Sequence, residues 1–491
     1  MKEYNSIEIT VRFKKILQTY FEHQPTLEQS KLFLALSTFL FNDPNRSVFL
    51  IKGYAGTGKT SAVGALVKTL PEFNTKTVLL APTGRAAKVM ANYACKPAST
   101  IHRKLYFKTS KGGTNYFALM QNLHKNTLFI VDEASMISVK RGVKNPFEEE
   151  RSILDDLIKY VYQGDGCKLL LVGDIAQLPP VMEEQSYALD SSYLKKRYAL
   201  PIVEVVLKEV MRQMKESGIL FNSFQIRSQQ DQLIETKKGT VTFPSLKTAP
   251  FKDVIKISGY DLEDELDINL GNKGVENCVV ITRSNKRANQ FNQQIRTRIL
   301  WHEDEISTGD FLMVVKNNYT WLNEESKAGF IANGDTIEVL KIVGFEEVYQ
   351  RRFANVICRL VDYPDESNLE VKLLLDTIMI DGPNLPRNEM KAFFHEVEND
   401  YMEFSNRKQR IKKVLDNPYF NALQVKFAYA VTCHKSQGGQ WPVVFIDQGY
   451  ITEELLNKEY LRWLYTAITR AQEKVYLINF HASFFPEEQS D

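Results

Sequence analysis

Val48-Phe-Leu-Ile-Lys-Gly53-Tyr54-Ala55-Gly56-Thr57-Gly58-Lys59-Thr60-Ser61 is the stretch on which the fold turns. Five residues, VFLIK, read as a buried strand. The next eight fit the pattern GxxxxGK[ST], and a helical run follows from about Thr60 to Leu70. In such a loop the backbone N–H groups of Gly53 to Ser61 can wrap phosphates. Lys59 neutralises the β/γ charge, and the Thr60 hydroxyl can hold Mg²⁺. The strand–loop–helix context makes a phosphate loop a far stronger reading than the motif alone.

Further strands are expected at 77–83, 127–133 and 168–174, each an apolar run ending in polar residues. Alternation with helical segments is the pattern of a parallel α/β sheet, whose ligands bind at the carboxyl ends of its strands. Asp132-Glu133 closes one of these strands. Beside a phosphate loop, Asp132 is expected to hold the Mg²⁺ shell and Glu133 to activate the attacking water. A second α/β pattern starts near residue 216: 278–285 reads as a strand running into a helix, and the pattern resumes at 428–438, 443–447 and 474–480. Short β-like runs and one long charged helical stretch, around 388–415, interrupt it. These features permit a kinase, a GTPase or a motor.

Composition narrows the class. The 491 residues suffice for about three domains, and 44% hydrophobic with 25% charged residues are those of a globular chain with real cores. No stretch approaches the ~20 apolar residues of a membrane span, and MKEYNSIEITVRF lacks the apolar core of a secretory signal. Cys95, Cys167, Cys278, Cys358 and Cys433 form no CxxC pair, so a reducing cytoplasm is expected rather than a disulfide framework or zinc site. A net charge of +2 excludes a wholly basic nucleic-acid-coating protein but not a local basic groove. Acidic DLEDELD (261–267) and basic NRKQRIKK (406–413) read as solvated faces.

VGDIAQLPPV (172–181) changes the argument. Together with PTLEQ (25–29), LLAPTGRAAKVM (79–90), STIH (99–102), LKEVMRQ (207–213), AVTCHKSQG (430–438) and LYTAITRAQ (464–472), it resembles the ordered motif set of superfamily 1B helicases of the RecD/Dda type. The resemblance implies two RecA-like domains with parallel sheets. A β-hairpin pin is inserted in the first, and an SH3-like, β-rich insertion with a helical part in the second. The expected boundaries are 1–102 with 126–215 for the first domain and 103–125 for the pin. The second domain takes 216–309 with 425–491, and the accessory insertion takes 310–424.

Function is implied in the same way: an ATP-dependent motor moving 5′ to 3′ on single-stranded DNA and unwinding duplex at ss/ds junctions, as a monomer. An RNA-acting motor of the same fold and a non-hydrolysing nucleic-acid-binding subunit are the alternatives. By resemblance, Gln29 reads the adenine edge, Gln177 senses the γ-phosphate, and Gly438 lies in the nucleotide cleft. Arg212 and Arg470 reach the γ-phosphate from the second domain. Thr83, His102, Asn285, Thr432 and His434 line the nucleic-acid path. One of the aromatics around Lys111-Gly112-Gly113 stacks on a base at the fork, with Phe117 chosen. Two positions depart from the family: Met211 stands where an aromatic is usual, and Gln440 where wider superfamily members carry a glutamate.

Overall fold

A computed structural model describes residues 6–111, 114–140, 152–209, 216–236, 242–322, 326 and 329–485. The apolar runs become strands: β1 (Val48–Gly53), β2 (Lys76–Ala81) and β3 (Ala98–Thr100), then a hairpin of β4 (Tyr106–Lys111) and β5 (Thr114–Leu119), then β6 (Thr127–Val131), β7 (Lys168–Gly173) and β8 (Ile202–Leu207). Six of these form a parallel sheet in the order β3-β2-β6-β7-β1-β8. Both faces are covered, one by a core around Phe33, Leu36 and Leu66, the other by one around Leu154, Leu157 and Val161. A parallel sheet needs that cover, which is why its strands read as continuous apolar runs.

The second sheet, order β16-β10-β17-β18-β9, is also parallel. It comprises β9 (Val254–Ile257), β10 (Cys278–Thr282), and three strands that follow the insertion. The insertion itself is a closed barrel of β11 (Phe311–Val314), β12 (Thr336–Val348), β13 (Arg351–Leu360), β14 (Leu369–Leu374) and β15 (Leu423–Phe427). The chain then returns through β16 (Ala430–Thr432), β17 (Trp441–Asp447) and β18 (Ala471–Ile478). The last barrel strand thus crosses the expected boundary at 424. It must, because pairing of β15 with both β11 and β14 closes the barrel. Barrel residues Leu312, Val339 and Val356 share one core with Val280, Phe445 and Tyr476 of the second sheet.

The expected single charged helix is two, Arg387–Asn399 and Arg407–Asp416. Asn406 starts the second: its side chain accepts from Lys408 N, satisfying one of the free amides of a new helix end. Phe393, Phe394, Val397 and Val414 pack the pair onto the barrel through Phe353 and Leu374.

At the other end the barrel meets the first domain. The helix Gly84–Ala94 begins against Asp335: a Cβ on Gly84 would lie 2.6 Å from Asp335 Oδ1 and 3.2 Å from Tyr363 Oη. Lys88 Nζ lies 3.8 Å from Asp362 Oδ1. Burial, reinforced by the Asp362 charge and opposed by the Ala332 N–H, pushes the Asp335 carboxyl up to about 7. A raised carboxyl pKa stabilises the folded state at low pH, and the contribution falls away as pH climbs toward 7. Asp335→Asn keeps the acceptor for Ala332 N and removes the titration. The thermal midpoint of Asp335→Asn is therefore expected to vary less between pH 5 and 8 than the wild type's, with the variant the more stable at pH 8; parallel profiles would contradict this.

Candidate active site at the phosphate loop

β1 delivers Gly53 to the loop, and Gly56 and Gly58 adopt φ of 75° and 81°, the left-handed region open to glycine. A Cβ on Gly53 would sit 2.8 Å from Thr57 Oγ1 and 2.9 Å from Lys59 Cγ, so close approach requires glycine here too. The helix Lys59–Thr69 starts at once, with Thr60 and Ser61 exposed in its first turn. Lys59 Nζ donates to the Gly53 and Tyr54 carbonyls, both at 2.8 Å, and stands 3.9 Å from Asp174 Oδ2. Thr57 Oγ1 donates to the Tyr54 carbonyl at 2.8 Å.

Gln29 is buried against this loop. Its Oε1 accepts from Thr26 N in a capping box at the start of the helix Leu27–Phe41, and its Nε2 donates 3.0 Å to the Thr57 carbonyl. One amide hydrogen and one lone pair remain for a ligand.

β6 ends in the carboxylates. Asp132 Oδ1 accepts from Glu133 N at 2.8 Å and Oδ2 from Tyr93 Oη at 2.6 Å. Glu133 has φ 50°, a conformation that turns it into the cleft, where Arg470 Nη1 lies 3.7 Å from its Oε1. Burial raises the Glu133 pKa, the Arg470 and Lys59 charges oppose the rise, and those of Asp132 and Asp174 add to it. A carboxylate made more basic while still flanked by cations suits the capture of a proton from water.

β7 ends in the loop 174–178, and here the second domain takes hold. Tyr465, on the helix Lys458–Ile468, donates its hydroxyl to Asp174 Oδ2 at 2.6 Å and accepts from Ala55 N at 2.8 Å. Thr466 Oγ1 accepts from Leu178 N at 2.9 Å, and Gln437 Nε2 donates 2.7 Å to the Leu178 carbonyl. Between these contacts Gln177 is buried, its Oε1 without a partner among the described residues. A buried, unpartnered amide oxygen carries a desolvation cost of roughly 1–3 kcal/mol that a bound donor would relieve. Arg470 is fixed by donating to the Thr466 and Gly439 carbonyls at 3.1 and 3.2 Å.

Two comparisons bear on this geometry. The AAA domain family matches residues 39–183, and the UvrD-like helicase C-terminal domain family matches residues 427–478. The first match spans the phosphate loop, Asp132-Glu133 and Gln177; the second spans Tyr465 and Arg470. In both matched domains and in the order of its motifs the chain is similar to superfamily 1 helicases of the RecD-like type. It is an ATP-hydrolysing enzyme. The uncharacterized protein R530 of Acanthamoeba polyphaga mimivirus is 24% identical over 511 residues, covering 88% of this chain and 96% of its own. The ATP-dependent RecD2 DNA helicase of Deinococcus radiodurans is 30% identical over 132 residues, 27% of this chain and 16% of that one. A Pif1 helicase from Bacteroides, solved in complex with ADP-AlF3 and ssDNA, superposes with TM-score 0.44 at 16% identity, over 94% of this chain and 95% of that one.

In this helicase the residues assigned to the nucleic-acid path lie at the carboxyl ends of one edge pair in each sheet. Thr83 follows β2, capping the helix Gly84–Ala94 by accepting from Ala86 N, and His102 follows β3. Asn285 follows β10, and Thr432 and His434 follow β16. Gly438 joins the two edges. The atoms nearest its missing Cβ are Ala86 Cβ (2.9 Å), Thr83 Oγ1 (3.1 Å) and Met136 Sδ (3.6 Å), so its neighbours belong to the path side. Arg85 reaches across as well, its guanidinium 3.8 Å from the Trp441 ring. Burial lowers the pKa of both His102 and His434, keeping them neutral donors near pH 7. Phe117 lies on β5, opposite Lys108 of β4. Arg212 lies outside the described residues.

Sequence reasoning missed a second grip on the phosphate loop. The Tyr54 ring is buried under the guanidinium of Arg227 (4.1 Å), and its hydroxyl donates to Asp231 at 3.3 Å. Both partners sit on the helix Gly218–Thr236 of the second domain. No motif carries Arg227 or Asp231. Tyr465, by contrast, stood inside the quoted LYTAITRAQ, and only its role was unread.

Among the described residues no cluster of three or more His, Cys, Asp or Glu side chains could hold a metal ion. Mg²⁺ does not need one, since one or two protein oxygens with water and phosphate oxygens complete its shell. The exposed Thr60 hydroxyl and the Asp132 carboxylate, with its spare lone pairs, fit that donor set.

Tyr465→Phe deletes one hydroxyl and leaves Asp174 Oδ2 and Ala55 N each short of a partner. The expected result is a fall in the kcat for ATP of about ten- to hundredfold, with KM for ATP changed far less. Steady-state ATPase assays, with a melting curve as the folding control, measure it. An unchanged kcat would remove the tyrosine from the coupling.

Proposed function

We propose that this helicase moves 5′ to 3′ on single-stranded DNA, powered by ATP with Mg²⁺, and unwinds duplex at ss/ds junctions. The observation that carries the reading is the approach of Arg470, from the second domain, to within 3.7 Å of Glu133 beside Lys59 on the first. A triphosphate on the loop would be clasped from both sides, by Lys59 of the first domain and by Arg470 of the second. Its presence favours closure, and loss of the γ-phosphate lets the domains part. Arginines in that position contribute roughly 10³–10⁵ in rate.

Each residue takes one task. The backbone of Gly53 to Ser61 binds the phosphates and Gln29 reads the base. Glu133 takes the proton from the attacking water, whose position Gln177 fixes through its free amide oxygen. Thr60 and Asp132 would hold Mg²⁺, which when bound would supply charge neutralisation at the phosphate oxygens. Neutral imidazoles, hydroxyls and an amide at Thr83, His102, Asn285, Thr432 and His434 suit a path that binds phosphates without reading bases. Both sides of the cleft come from one chain, which supports a monomeric motor.

The direction is decided by forked duplexes with only a 5′ or only a 3′ single-stranded tail. Unwinding is expected from the 5′ tail, and none from either with Lys59→Ala. Activity from the 3′ tail alone would reverse the direction, and unwinding of RNA but not DNA would change the substrate.

The hairpin of β4 and β5 serves as the pin. Stacking of one base on an aromatic contributes roughly 1–3 kcal/mol, comparable with the ~1.4 kcal/mol of an average base-pair step. Such a contact can offset one unstacked step and cannot power movement. Phe107, 45% exposed on β4, and Phe117 on β5 are the positions to test. Alanine at both should depress unwinding at least several-fold more than single-strand-stimulated ATP hydrolysis; equal losses in the two assays would take the hairpin out of strand separation.

A further inference from the structure

The basic run at 406–413 was expected to be a solvated face. Its position in the fold gives it a neighbour. The helix Arg407–Asp416 packs beside β5 of the hairpin, nearly 300 residues away in sequence. Arg410 is used internally, 3.3 Å from Glu398 and donating to the Phe404 carbonyl. Arg407, Lys408, Lys412 and Lys413 are exposed, and none of them has an ion pair among the described residues. The buried side of the helix is carried by Val414 and the half-buried Ile411 and Leu415.

The hairpin segment has the same bias. Residues 103–125 contain Arg103, Lys104, Lys108, Lys111 and Lys125 and no acidic residue. Residues 103–125 and 406–415, neither of which contains a carboxylate, are thus folded side by side, with the exposed Asp416 closing the helix, in a chain whose overall charge is only +2. Clustering like charges raises the folded state's energy through self-repulsion. A polyanion lying on the patch removes that cost, and a duplex backbone, with one charge per ~1.7 Å of axis, is the densest regular one.

We propose that the exposed face of the helix Arg407–Asp416 binds the phosphate backbone of the duplex arm ahead of the hairpin, holding the duplex against the element that splits it. The occupant is double-stranded nucleic acid at the fork. The proposal rests on the reading of the hairpin as the pin. The contacts are backbone contacts, so binding is blind to sequence and sensitive to salt.

The test is a charge-neutral variant, Arg407→Gln with Lys408→Gln, Lys412→Gln and Lys413→Gln, all exposed and away from the core. Affinity is measured by fluorescence anisotropy for a blunt duplex, a fork and a single strand across a salt series. Expected are a loss of about tenfold or more for duplex and fork, little change for the single strand, and a slope of log K on log salt flatter by about 3 for the duplex. A wild-type-like melting temperature shows that the variant is folded. Unchanged duplex affinity and slope would overturn the proposal and leave the face to a protein partner or to water. An equal loss for the single strand would overturn it too, moving the helix onto the translocation path. These are binding measurements, so they stand whether or not the hairpin proves to separate strands: loss of duplex affinity with unwinding intact in the hairpin alanine variants would fault the pin and keep the grip.

Discussion

The Tyr465 hydroxyl holds the Asp174 carboxylate on one side and the Ala55 amide on the other, and through it the second domain touches the phosphate loop's own backbone. Burial and the Asp174 charge raise the tyrosine's pKa far above its usual value, so it stays a donor under all conditions of interest. Three polar groups are withdrawn from water here, and each is stable only while the other two are in place. Separation of the domains therefore exposes all three at once. A contact of this kind has two states, made or broken, rather than a range of partial ones.

That property explains how phosphate chemistry becomes motion. The loop between Gly53 and Lys59 is gripped at two adjacent residues, Tyr54 by Arg227 and Asp231, and Ala55 by Tyr465. The loop 174–178 is gripped at Leu178 by Thr466 and Gln437. Each of these partners belongs to an element of the second domain, so a change in the phosphate loop's backbone is felt there directly, without a long chain of intermediaries. Gly438 completes the circuit at the other end of the cleft by lying on Thr83, at the head of the helix that also meets Asp335 of the barrel. One rigid helix, Gly84–Ala94, thereby reports to the second domain and to its insertion together.

Strand-forming runs and the phosphate loop could be read from the sequence because both are local. VFLIK followed by GYAGTGKT needs no knowledge of the rest of the chain, and a short apolar run such as TLFIV, rich in β-branched and aromatic residues and bounded by polar ones, reads as a buried strand. Contacts made by residues outside any run or motif could not be read. Arg227 and Asp231 sit on a helix with no distinguishing pattern, and only folding sets them over Tyr54. The insertion was visible as a change of texture, but not the strand β15 that closes it, because LQVKF reads equally well as the start of the returning domain. Asn406, a plain polar residue in a charged stretch, divided one expected helix into two by capping the second.

Charge gives the clearest case of information that exists only after folding. Summed along the chain it nearly vanishes, and a run such as RKQRIKK taken alone is indistinguishable from a solvated helix face. The fold sets that run beside a hairpin equally free of carboxylates, and it does so through the apolar contacts of Val414, Phe393 and Phe394, which have nothing to do with electrostatics. Packing energy, not attraction between the two segments, must hold like charges together, since they repel. A chain that spends core contacts on such an arrangement gains nothing in stability from it. A polyanion arriving at the hairpin would remove that repulsion on binding.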